Sequence, residues 1–132
     1  MSDVYKNIIK VIKNKRLIPL IISSLFLILY LVLPYSFLTI CSGSMENTIN
    51  IGDIIFYKRI DGSYKLNEGD IIVFKKRYKP TNKTIKLVHR IEEVYMYKYE
   101  IWGYHTIGDA VDSIDKFAVY PEKVVGIYWK SW

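Results

Sequence analysis

The chain has 132 residues, 51% of them apolar, and a formal net charge of +6. That length provides for a single domain, and one cysteine excludes an internal disulfide. The charge is concentrated at one end: residues 1–16 carry a net +4 and residues 41–132 only +2, so no basic nucleic-acid-binding face is expected on the folded part and nucleic acid is not an expected partner.

Residues 3 to 16 place Val4, Ile8, Val11 and Ile12 on one helical face, with Lys6, Lys10 and Lys13 mostly elsewhere. This pattern predicts a short basic amphipathic arm (1–16) suited to a membrane surface. Leu17 to Ile40 then runs for 24 positions without a charged residue, longer than the roughly 18 apolar residues that signal a spanning helix. A transmembrane helix is expected over 17–40, with Pro19 tolerated in its first turn and Pro34 kinking or ending it. Basic residues before the run and none directly after it predict a cytoplasmic N-terminus and an extracytoplasmic remainder. The run is too long for a cleaved signal peptide and lacks a small-x-small site. Ile40 stands where a lipoprotein signal needs a small residue before Cys41.

Beyond the run the period changes. Gly52-Asp53-Ile54-Ile55-Phe56-Tyr57 and Gly69-Asp70-Ile71-Ile72-Val73-Phe74 are near-repeats 17 residues apart. Each reads as a strand entered through a Gly-Asp turn, which makes Asp53 and Asp70 turn residues. Further strands are expected around 85–91, 93–97, 99–107 and 124–129, with turns at Asp61-Gly62-Ser63, Pro80-Thr81-Asn82, Gly108-Asp109 and Pro121. Lys75, Lys76, Arg77, Lys79, Lys83 and Lys86 surround Pro80-Thr81-Asn82 as a solvated hairpin tip. The fold class is therefore mostly β: a small antiparallel sheet or partly closed barrel over 41–132, behind one N-terminal transmembrane helix.

Ser42-Gly43-Ser44-Met45 lies just past the apolar run. At four residues from its end, Ser44 is within roughly 13–14 Å of extended chain from the expected bilayer edge. A serine nucleophile needs a base and oxyanion donors. The chain offers two histidines, His89 and His105, and spacing alone does not choose between them. Acids that could orient an imidazole lie in Asp109, Asp112 and Asp115, whose spacing does not fit an EF-hand loop.

Ser42-Gly43-Ser44-Met45-x-x-Thr48, Gly69-Asp70-Ile71-Ile72-Val73-Phe74, Val88-His89-Arg90-Ile91 and Gly108-Asp109 stand in the order seen in type I signal peptidases, and the chain resembles that family over the apolar run and nearly all of 41–132. His89 occupies the position of the lysine of most bacterial members. The resemblance is thus to the serine–histidine branch: archaeal enzymes, the catalytic subunit of the endoplasmic-reticulum complex and enzymes of some spore-forming bacteria. It implies Ser44 as nucleophile and His89 as general base. Asp115, six residues past Asp109, is implied as first choice to orient His89 and Asp109 as second. The oxyanion donors implied are the Ser44 N–H and the Ser42 hydroxyl. The chain departs from the family pattern at Asn47, where proline is usual, at Ala110-Val111, where Asn-Asn is usual, and at Ile107, in place of a lysine.

The resulting expectation is a membrane-anchored serine endopeptidase that removes signal peptides from secreted preproteins after a small residue. Extended substrate would add as a strand, with Ile49, Ile51, Ile54, Ile71 and Val73 as pocket walls and Trp129, Trp132 and the tyrosines at a membrane-facing rim. No metal or organic cofactor is called for. The expected partners are signal-peptide-bearing preproteins, the lipid bilayer and the secretion translocon. The alternatives are a non-catalytic anchored β domain of a processing complex and a surface lipoprotein.

Overall fold

The computed structural model describes residues 2–132. The side chains of Val11 and Ile12, half of the apolar face expected on the arm, lie outside the described residues. The chain divides into two compact units, one ending at Pro34 and one spanning Tyr35–Trp132.

The first unit holds helix α1, Ser2–Lys13, and helix α2, Ile18–Val32, with Pro19 in its first turn. None of α2's residues is buried. Its two serines, Ser23 and Ser24, donate back to the carbonyls of Leu20 and Ile21, which satisfies both serine hydroxyls within the helix. Among the described residues no helix is long and apolar enough to cross a membrane. The expected helix over 17–40 is therefore corrected. Pro34 disfavours helical backbone at the residue before it, and Leu33 is extended at φ −71°, ψ 134°. Beyond it Tyr35–Thr39 form a strand, β1, with alternating exposure.

The second unit is one seven-stranded sheet among the described residues. It adds β2 (Ile54–Arg59), β3 (Ile71–Tyr78), β4 (Lys83–Tyr97), β5 (Glu100–Ile107), β6 (Ala118–Val119) and β7 (Val124–Ser131). The order is β1-β2-β7-β3-β4-β5-β6, with every neighbouring pair antiparallel. The sheet is open, with β1 and β6 as its edges, so the partly closed barrel is corrected as well. The segments read as strands at 85–91 and 93–97 are one strand, with register shifts between Ile91 and Glu93 and between Tyr95 and Met96.

The near-repeat folds as a repeat. Asn50 N–H bonds the Asp53 carboxylate and Asn67 N–H that of Asp70, both at 2.9 Å. Gly52 and Gly69 take φ of 93° and 89°, a conformation natural only to glycine at that turn position. The second turn delivers β3 to the middle of the sheet. Its run Ile71-Ile72-Val73-Phe74 is buried throughout, as expected of a strand covered on both faces. Ile71 and Val73 pack with Ile40, Met45, Ile49, Ile55, Tyr57 and Val88. Ile72 and Phe74 pack with Leu66, Ile91, Tyr104, Val119 and Val124. The expected hairpin tip at Pro80-Thr81-Asn82 connects β3 to β4.

At Gly126, in β7, a Cβ would strike the buried Tyr57 ring and lie 2.9 Å from the Lys58 carbonyl. Neither neighbour has room to yield. Gly126→Ala is expected to destabilise the sheet unit by about 1–3 kcal/mol, as overpacked cores do. The reading is a lower denaturant midpoint at unchanged slope.

Candidate active site

Ser44 sits on a single 3-10 turn, Gly43–Met45, that follows extended Ser42. The turn is held from inside and from outside. Met45, almost fully buried, pins it to the core, and its carbonyl accepts the N–H of Thr48 and of Ile49. From the loop after β5, the Ala110 N–H reaches the Ser44 carbonyl at 3.0 Å. Gly108 of the same loop lies so close that a Cβ there would collide with the Ser44 carbonyl and stand 3.0 Å from the Ser44 Cβ. The turn's exit passes through Asn47 at φ 76°. Asparagine tolerates that left-handed conformation, whereas proline, fixed near −65°, cannot adopt it.

His89 lies on β4 opposite Ile72 of β3, 8% exposed, with the Phe74 ring edge-on to it at 6.2 Å. Its Nε2 is 3.0 Å from the Ser44 Oγ and its Nδ1 is 2.6 Å from an Asp115 oxygen. An ionised carboxylate only accepts, so the imidazole carries its proton on Nδ1 and leaves Nε2 to accept from the serine hydroxyl. Asp115 is fixed in turn by Thr106, whose hydroxyl donates to the same carboxylate oxygen at 2.6 Å and whose carbonyl accepts the Asp115 N–H at 2.8 Å.

Asp109 is occupied elsewhere. Arg90, the next residue of β4, grips it with two nitrogens at 2.9 and 2.6 Å, and the Thr48 hydroxyl adds a third bond. The Arg90 guanidinium holds the Asp109 carboxyl below the usual carboxylate range, against the opposing effect of burial, with Thr48 lowering it further. Asp109 in turn raises Arg90. Arg90 also bonds the Gly69 carbonyl at 2.9 Å, and the Asp109 N–H meets the Met45 sulfur at 3.4 Å. One guanidinium thus ties the turn before β3 to the Gly108-Asp109 loop. Asp112 is exposed. His105 lies against Tyr95, with ring centroids 4.5 Å apart and planes tilted by 46°.

A cavity of about 40 Å³ opens beside Ser44, walled by Thr39, Ile40, Cys41, Ser42, Met45, Leu87 and Val88. None of the five residues expected as pocket walls lines it. Ile49, Ile71 and Val73 are buried in the core cluster, while Ile51 and Ile54 are exposed. The residues that sequence reasoning missed are those whose role depends on pairing register: Leu87 and Val88 on β4, Thr39 on β1, and Thr106 on β5. Thr106 did carry a faint signal, a hydroxyl two positions after Tyr104 on the same buried face of its strand.

A serine, an imidazole and a carboxylate in this order can pass a proton from the hydroxyl to the ring while the carboxylate steadies the ring. The family model described as signal peptidase, peptidase S26, matches residues 9–91, more than half of the chain. That range includes Ser44, His89 and Arg90 and ends before Thr106, Asp109 and Asp115. No curated protein matches the chain.

The Asp109–Arg90 pair has a pH consequence. A carboxyl whose folded pKa is depressed stabilises the fold above its unfolded value, near 4, and that contribution is lost as the pH falls through the folded value. Stability is therefore expected to drop on acidification below about pH 4, and less steeply in Arg90→Gln than in the wild type. Urea midpoints across that range provide the check, and parallel slopes for the two proteins would remove the pair from the account.

Proposed function

The chain belongs to the signal peptidase family, peptidase S26, and on that footing we propose that it is a membrane-anchored serine endopeptidase that cuts preproteins after a small residue, with Ser44 as nucleophile and His89 as general base. One observation carries this reading: the Ser44 Oγ, the His89 ring and the Asp115 carboxylate form a continuous hydrogen-bonded chain of 3.0 and 2.6 Å, and these groups come from three distant parts of the sequence. Asp115 rather than Asp109 orients the imidazole, because Asp109 is committed to Arg90.

The geometry supports acyl transfer through Ser44. His89 Nε2 takes the hydroxyl proton as the Ser44 Oγ attacks the carbonyl carbon of the scissile bond. The negative charge that develops on the carbonyl oxygen is met by the Ser44 N–H, in the turn that carries the nucleophile, and by the Ser42 hydroxyl, on the residue that leads into it. Protonated His89 then gives its proton to the leaving amine, the new N-terminus of the mature protein. Water, activated by His89 in the reverse sense, releases the acyl group. Every proton is handled by the protein's own side chains, so the proposed reaction employs no metal or cofactor. The cavity beside Ser44 has room for a methyl-sized group or a few water molecules, which favours a small residue before the cut.

Anchoring is part of the proposal. Helix α2 presents apolar side chains all round, and such a helix belongs in a protein core or in lipid. Its 15 residues span about 22 Å, less than the roughly 30 Å hydrocarbon core. On this proposal local thinning and the reach of flanking Lys15 and Arg16 to the cytoplasmic headgroups make up such a difference. The catalytic unit then lies outside the membrane, where preproteins emerge with their cleavage sites just past an apolar segment of their own. A translocon delivering them is a natural neighbour.

The test is processing of a preprotein by purified membranes carrying the full chain. Ser44→Ala and His89→Gln are each expected to bring cleavage to background while the far-ultraviolet spectrum is unchanged. Cleavage that survives both substitutions means a non-catalytic unit. Alkaline extraction tests the anchor: the chain is expected in the pellet, and substituting Leu25, Leu27 and Ile28 by serine is expected to move it to the supernatant. Release of the unmodified chain by alkali alone would refute anchoring through α2.

A further inference from the structure

Asp115 has a second partner that the proposed reaction does not use. Thr106, in β5, is fully buried, and a buried hydroxyl requires a hydrogen-bond acceptor. It does not take a backbone carbonyl. It donates at 2.6 Å to the one Asp115 oxygen that also meets His89 Nδ1. The same residue accepts the Asp115 main-chain N–H at 2.8 Å. The two bonds form a closed ring between one strand residue and one loop residue. The main-chain bond fixes where the Asp115 backbone lies, and the hydroxyl fixes the turn of its side chain.

We propose that Thr106 is a positioning residue, which holds the Asp115 carboxylate in the orientation that aligns His89 with Ser44. This rests on the assignment of Ser44, His89 and Asp115 above. Without the hydroxyl, Asp115 retains its backbone tether, but its carboxylate, on a side chain 19% exposed, is free to swing toward water. The imidazole then loses the acceptor that selects its tautomer and its ring angle. Valine is the informative replacement, since it keeps the shape and the β-branch of threonine in a strand and removes only the donor.

The experiment uses the full chain in detergent micelles, wild type beside Thr106→Val and Thr106→Ser. Two quantities are read: the kinetics of preprotein cleavage, and the low-field proton resonance of a His89 Nδ1–H held against a carboxylate, identified by its absence in His89→Gln. Thr106→Val is expected to lower kcat about 10- to 100-fold, the effect of losing a hydrogen bond to a charged group, with KM unchanged and the resonance lost or displaced. Thr106→Ser is expected to restore both. A valine variant that keeps wild-type kcat and resonance overturns the proposal, and so does a serine variant as impaired as the valine one. Should the valine variant fail to fold, a serine variant that lacks the resonance overturns it equally. A wild type that cleaves nothing, yet whose resonance responds to Thr106 in this way, would refute the peptidase assignment and leave the positioning of Asp115 standing.

Discussion

Two neighbouring residues of β4 carry most of the site. Side chains along a strand alternate between its faces, so His89 and Arg90 point in opposite directions, and each takes one carboxylate of the same loop: His89 takes Asp115 and Arg90 takes Asp109. The loop after β5 is thereby held on both sides of the strand. Its close approach through Gly108 and Ala110 then determines where the Ser44 turn can lie. The division of labour is electrostatic. A guanidinium offers a planar pair of donors that matches a carboxylate, and the carboxylate bound there is poorly available to an imidazole. The second carboxylate, six residues on, meets the ring instead.

That division also explains what could be read in advance and what could not. The Gly-Asp turns were legible because positive φ and a carboxylate bonding to a nearby backbone N–H are local requirements. So was β3, whose unbroken apolar run suits a strand buried on both faces. The choice between Asp109 and Asp115 was open on the residues alone, because it depends on where Arg90 points, and that is a matter of pairing register. Strand β1 was read as helix because an uncharged apolar run has no period to distinguish the two. Pro34 was the available cue, and it ends the helix. The expected pocket walls differ from the lining of the cavity beside Ser44 for a related reason. Ile49, Ile71 and Val73 are apolar and near the motifs in sequence, but core packing claims them, while Leu87 and Val88 reach the cavity from a strand that meets the serine turn only in three dimensions.

Asn47 shows a local departure with a local reason. A proline at this position would stiffen the turn by fixing φ at a negative value, but this backbone turns through φ 76°, which excludes proline. The stiffness comes from outside the turn instead. Thr48, the next residue, bonds Asp109, and Met45, two residues earlier, is anchored in the core and touches the Asp109 N–H through its sulfur. A turn braced by a carboxylate that is itself locked to Arg90 has no need of a ring in its own backbone.

The same bracing bears on selectivity. Met45 and Val88, which line the cavity beside Ser44, belong to the core cluster that includes Ile40, Ile55 and Val73. Widening the cavity therefore means deleting buried methyl groups, at a cost of about 2–5 kcal/mol for a large-to-alanine change, a large part of the stability of a domain this small. In the proposed reaction the preference for a small residue is then a consequence of how the sheet packs. On that proposal core stability and substrate choice draw on the same atoms, and a broader pocket would have to be built from the exposed wall, at Thr39 and Cys41, where side chains can change without opening a void in the core.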